Sequence, residues 1–194
     1  QPHPGPSILW GNSQRIALRQ FRGSTTSNQN RLQIIRSGGG SGNYFGGTSL
    51  SASTWYSVVL QSTGSAWSIY LNGSAEALTN VSGSNTGDWL GDVSGTDHRL
   101  VFGCQYASNA PGQYNDCRLN ECIYVGGRVL TGAEITEWHN AGVTKNPHRL
   151  SFIADVDSWW RFGDSRDSAS TIYDEIGSNH LTLVNMDASN YVAP

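Results

Sequence analysis

The 194 residues suit one domain, or one domain with an appended segment, and allow roughly 70% of the unfolded chain's surface to be buried. Only 14% of them are charged, with one Met against 23 Gly, seven Trp and eight Tyr, which argues against a mainly helical protein and for short strands joined by many turns. The net charge of −3 divides into ten Lys/Arg against eight Asp/Glu over 1–150 and two against seven over 151–194; neither half has the clustered cations of a nucleic-acid-binding surface, and no apolar stretch reaches the roughly 18 residues of a membrane span.

Residues 1–6 alternate proline with other residues and must be extended. With neither a signal peptide nor an initiating Met, a start at Gln1 is expected of a processed product or a fragment. Strand candidates follow at 7–10, 14–21, 31–36, 44–45, 56–61, 66–71, 100–104 and 121–125, with turn signals about every ten residues. The clearest alternation puts Trp67, Ile69 and Leu71 on one face and runs into Asn72-Gly73, a strong hairpin turn. Stretches 37–43 and 82–87 read as exposed Gly/Ser/Asn loops. Many short strands at this spacing mark an antiparallel sandwich or barrel. One helix of about ten residues is expected over 131–141: Thr131-Gly-Ala-Glu134 is a capping box, Ile135 and Trp138 share a face, and Gly142 stands at C′. Glu134 and Glu137 read as capping and solvated residues, and His139 as surface. Further on, Leu181 and Leu183 alternate as a strand after a turn at Asp174 and Gly177.

Several of these stretches, in order, resemble the laminin-G-like (concanavalin A-like lectin/glucanase) family. They are Trp55-Tyr-Ser-Val-Val-Leu60, Trp67-Ser-Ile-Tyr-Leu-Asn-Gly73, Leu100-Val-Phe-Gly103, Arg118-Leu-Asn-Glu-Cys-Ile-Tyr124 and 128–142. The resemblance implies an all-β jelly-roll sandwich over 1–144 with its first strands absent. Residues 145–194 would then pack on or complete the sandwich, and an edge left open would invite a partner. The family's Asp-Glu pair reads Asn120-Glu121 here, which puts any role that needs the Asp, including cation binding, in doubt. The later pattern Trp159-Trp-Arg-Phe-Gly-Asp164, then Asp174-x-x-Gly177-x-Asn179 leading to Asn185-Met186, resembles a segment of phage and viral structural proteins. It implies a virion surface protein such as a capsid decoration or tail-fibre domain.

Catalysis is not expected. The glucanases of this fold are expected to carry E-x-D-x-E on one strand, placing acid and nucleophile about 5 Å apart. The nearest pair here, Asp155-Val-Asp157, lacks a third acid, and no G-x-S-x-G elbow is present. For a metal, Asp88, Asp92 and Asp97, in and beside the Gly-rich stretch 87–95, form the preferred calcium candidate. Asp164, Asp167 and Asp174 form a second acidic run, and both sets also read as turns whose Asp bonds its own backbone. Trp89 with Asp88 and Asp92 is the candidate ligand-binding group, and a core position for Trp89 stands beside it. Asn72-Gly-Ser and Asn80-Val-Ser match glycosylation sequons. Among three cysteines, a Cys104–Cys117 or Cys104–Cys122 bridge competes with three unbridged thiols, and no zinc spacing is present.

The expectation is a non-catalytic structural or binding module on a virion surface, homo-oligomeric and docked on other subunits by edge strands and the acidic C-terminal segment. The alternative is a secreted or cell-surface glycan-binding module, extracellular and calcium-dependent.

Overall fold

A computed structural model describes residues 7–12, 16–21, 27–36, 42–88, 100–107, 110–112, 117–143 and 145–184. The protein is all-β, with antiparallel sheets and, among the described residues, one α-helix, as expected. The chain forms two compact units, 1–117 and 118–194.

The first unit contains β1 (Ser7–Asn12), β2 (Ile16–Gln20), β3 (Arg31–Arg36), β4 (Gly42–Ser49), β5 (Val58–Ser62), β6 (Trp67–Leu71), β7 (Ser74–Ala75), β8 (Thr79–Ser82), β9 (Val101–Phe102), β10 (Gln105–Ala107) and β11 (Ala110–Gly112). Six of these make one sheet in the order β8-β4-β3-β2-β1-β9, and β5-β6-β7 make a second. Leu18, Leu32, Ile34 and Tyr44 of the large sheet share a core with Trp67, Ile69 and Leu71 of the small one, the two-layer packing of a sandwich. The period-2 alternation on β6 is what turns those three residues inward together. Asn72 and Gly73 both have positive φ, 50° and 79°, as the expected two-residue hairpin requires. Leu71 accordingly pairs directly with Ser74.

Three features differ from expectation. Residues 42 and 43, assigned to a loop, begin β4, because Asn43 and Tyr44 pair with β3 on one side and β8 on the other. β8 itself is entirely exposed and carries no alternation that periodicity could detect. β10 and β11 lie in a stretch of Gly, Pro and Asn that reads as a loop.

The second unit contains β12 (Cys122–Val125), α1 (Gly132–His139), β13 (Val156–Trp160), β14 (Thr171–Ile172) and β15 (Leu181–Thr182). The expected division lay between 144 and 145. In the structure β12 and α1 group with the C-terminal segment, since β12 pairs antiparallel with β13. Leu130, Ile135, Leu150, Phe152, Val156, Trp159, Trp160 and Ile172 are buried within this unit. The capping box forms as read: Thr131 Oγ1 accepts from the Glu134 amide at 3.3 Å, and the Thr131 amide donates to Glu134 at 2.7 Å. The helix stops two residues earlier than expected. Asn140, at φ 44°, takes the left-handed cap, and Gly142, at φ 84°, ends a short 3-10 turn behind it. His139 is half-buried rather than on the surface, and its Nδ1 is shielded from solvent without a hydrogen-bond partner among the described residues.

Candidate functional site

Of the ligand-binding candidates Trp89, Asp88 and Asp92 and the calcium candidates Asp88, Asp92 and Asp97, only Asp88 falls within the described residues. It lies in a segment held against β6. Trp67 Nε1 donates to the Asp88 carbonyl at 2.6 Å, the Trp67 amide donates to Asn85 Oδ1 at 2.7 Å, and Asn85 Nδ2 donates back to the Trp67 carbonyl at 3.2 Å. Gly87 is required there: its φ is 61°, and a Cβ would sit 2.1 Å from the Ala66 nitrogen. The Asp88 carboxylate forms an ion pair with Arg36. A cation at Asp88 would have to displace that guanidinium. Among the described residues no three or more His, Cys, Asp or Glu are arranged to hold a metal ion.

The second acidic run is engaged in holding backbone. The Asp174 carboxylate, 5% exposed, accepts from the amides of Trp159 at 3.0 Å, Ile176 at 3.1 Å, Gly177 at 3.0 Å and Asn179 at 3.1 Å. Burial pushes this carboxyl up, but the backbone N–H groups more than offset it and hold it below the ordinary aspartate range. A Cβ on Gly177 would lie 2.7 Å from the Asp157 carbonyl. Asn179 donates from Nδ2 to Ser158 Oγ at 2.9 Å, and its carbonyl accepts from Trp160 Nε1 at 2.7 Å. The spacing Asp174-x-x-Gly177-x-Asn179 is therefore a staple that fastens the β14–β15 hairpin to β13. Asp167 serves the same end, accepting from the amides of Gly163 at 2.8 Å and Tyr173 at 2.9 Å. Asp164 accepts from Arg161 Nη1 at 2.9 Å and from the Arg166 amide at 2.9 Å.

The remaining carboxylates that invite a chemical reading are likewise engaged. Asp155 and Glu134 both accept from Arg128 Nη2 at 2.7 Å, while Asp157 Oδ2 accepts from the Gly126 amide at 2.5 Å. The Arg128 guanidinium, helped by the capping Thr131, holds the Glu134 carboxyl down at about 2. Glu137 accepts from Lys145 Nζ at 2.5 Å and from Ser151 Oγ at 2.6 Å. Glu121, the acid of the Asn120-Glu121 pair, occupies a left-handed φ of 47°. Its carboxylate accepts from Trp159 Nε1 at 2.5 Å and Arg161 Nε at 3.3 Å, and Arg161 lies 5.4 Å above the Trp159 ring centroid. Burial pushes the Glu121 carboxyl up, against the opposing pull of Trp159 and Arg161.

One polar group was not singled out in the sequence. On the face of the large sheet opposite its core, Arg19 Nε donates to Gln33 Oε1 at 2.6 Å and Gln33 Nε2 donates to Asn43 Oδ1 at 2.6 Å. Phe21 and Phe45 meet edge to face beside it, with centroids 5.3 Å apart. The available signal was the break in apolar runs at Arg19 and Gln33, which in each strand flank inward-facing Leu18 and Ile34.

Cys104 is a buried, unbridged thiol, pushed up in pKa by burial, so neither Cys104–Cys117 nor Cys104–Cys122 is formed. Cys117 is exposed and Cys122 half-buried in β12.

No protein-family model matches the chain, and no curated protein and no solved structure matches it.

Proposed function

We propose that this chain is a non-catalytic module of a virion surface, a capsid decoration or tail-fibre domain of laminin-G-like type, which docks on neighbouring subunits through its sheet edges. The observation that carries this reading is β8. It terminates the six-stranded sheet, all four of its residues are exposed, and none is charged or a proline. Val81 on it is 55% exposed. An edge of this kind offers unpaired N–H and C=O groups to another strand; of the devices by which isolated proteins blunt such an edge, β8 lacks charge and proline and has only the register shift at Val81. The carboxylates described above favour a rigid scaffold over an acid–base site, because each is bound to a guanidinium, an ammonium, an indole or backbone amides.

The test is the assembly state, by imaging the particle in which the protein occurs and by native mass spectrometry of the purified chain. Repetition at symmetric positions, lost in a Val81→Lys variant that still folds, is expected. A monodisperse monomer with no multimeric partner would overturn the proposal and favour the glycan-binding module, to be tested on a glycan array with and without calcium.

A further inference from the structure

We propose that the outer face of the large sheet carries an oxyanion-binding site centred on Arg19. The argument begins with donor and acceptor chemistry. An arginine Nε can only donate, so Gln33 must present its oxygen to Arg19 and its NH2 to Asn43. Asn43 in turn must present its oxygen to Gln33, which leaves its own NH2 for a further acceptor. With Gln33 only 2% exposed, this orientation is held by packing as well as by hydrogen bonds. The guanidinium lies over the Phe21 ring, 6.0 Å from its centroid, and its Nε is tied down, which leaves the two Nη groups as the presented edge. That edge matches a carboxylate or one side of a sulfate or phosphate.

Arg19 also lacks a counter-charge. Arg36, Arg128, Arg161 and Arg166 all pair with carboxylates, whereas Arg19 is half-buried with no carboxylate partner among the described residues. Burial alone acts on it and pushes its pKa down, with no acid pushing back. A partly desolvated cation without an anion is unfavourable, and binding one relieves the cost. Alternation along β3, where Leu32 and Ile34 face the core, puts Arg31 on the same outer face as Gln33. The Arg31 Nε is shielded from solvent and has no hydrogen-bond partner among the described residues. Among the described residues, the groups left over on this face are the Nη pair of Arg19, Nδ2 of Asn43 and Nε of Arg31. All are donors, and two belong to cations. A site of donors selects an oxyanion over a cation or a neutral hydroxyl.

The experiment is a titration of the whole chain with sodium acetate and, separately, sodium sulfate, against sodium chloride at matched ionic strength. It is read at the side-chain N–H signals of Arg19 and Asn43 by NMR. Saturable shifts with either oxyanion beyond those with chloride are expected; tighter acetate binding means a planar carboxylate ligand and tighter sulfate binding a tetrahedral one. Arg19→Lys keeps the charge but loses the fork and should weaken binding about tenfold, the equivalent of one charge-assisted hydrogen bond. Asn43→Asp keeps the acceptor for Gln33 and replaces the free donor by a carboxylate oxygen, and in a variant whose amide spectrum matches the parent's it too should weaken binding about tenfold. Absence of saturable shifts with both anions, or equal affinity in both variants and the parent, overturns the site.

Discussion

Asp174 and Glu121 are both largely buried carboxylates within the same unit, yet their surroundings push them in opposite directions. Asp174 gathers four backbone amides, which favour its ionised form over the penalty of burial. Its folded pKa lies below the unfolded value, so its stabilisation is complete above the ordinary aspartate range and is lost as the pH falls through the folded pKa. Replacing Asp174 by Ala leaves several amides without an acceptor and should cost about 3 kcal/mol or more in urea unfolding at neutral pH. A loss under about 1 kcal/mol would mean that water satisfies those amides. Glu121 shows the reverse sign: burial raises its folded pKa, so stability declines as the pH rises from the ordinary glutamate range towards the folded value. Glu121→Gln keeps an oxygen for Trp159 Nε1 and removes the charge. It is expected to leave stability at pH 7 unchanged or slightly raised and to flatten that decline; an undiminished decline in the variant would assign it to another group.

At the level of elements, local chemistry and long-range pairing divide the work. The helix α1 starts where Thr131 and Glu134 close the capping box and stops where Asn140 turns left-handed. Arg128 adds to the start by holding Glu134 and Asp155 together. Thr131→Ala should therefore lower stability by about 1 kcal/mol, seen as a lower thermal midpoint by circular dichroism, and an unchanged midpoint would show the cap to be redundant with Arg128. The β14–β15 hairpin has only two residues in each strand and depends on Asp174, Gly177 and Asn179 for its attachment. Gly177→Ala forces a Cβ towards the Asp157 carbonyl and the Asp174 carboxylate. It should destabilise by about 1–3 kcal/mol, the usual range for overpacking. Retention of the Asp174 amide hydrogen bonds in the spectra of that variant, with no loss of stability, would contradict the assigned role.

At the scale of the whole molecule, each unit contributes buried apolar residues of its own. Residues 118–194 bury Ile135, Phe152, Val156, Trp159, Trp160 and Ile172, and they contain both strands of the β12–β13 pair. Expressed alone, this segment should give a dispersed NMR spectrum with the β12–β13 contacts intact. A collapsed spectrum would mean that its order depends on the first unit. The two units also differ in charge usage. The second fastens its loops with acids, whereas the large sheet of the first leaves Arg19 without a counter-charge among the described residues.

What was legible from the sequence rests on signals that act over a few residues. The inward face of Trp67, Ile69 and Leu71 follows from a period of two, the Asn72-Gly73 turn from its need for positive φ, and the helix start from a box four residues long. The all-β class follows from composition for the same local reason. Other features depended on residues far apart in the chain. Only pairing with β13 assigns β12 to the second unit, and only the fold gathers Trp159 and Asn179 around Asp174. Asp88 is a plausible cation ligand in one dimension and the counter-ion of Arg36 in three. Likewise Arg19, Gln33 and Asn43 are unrelated along the sequence and become one relay when register sets three strands side by side. Composition and short-range geometry determined which kind of elements form; tertiary structure decided the partner of each buried charge, because such a partner is chosen by proximity across strands and not by position along the chain.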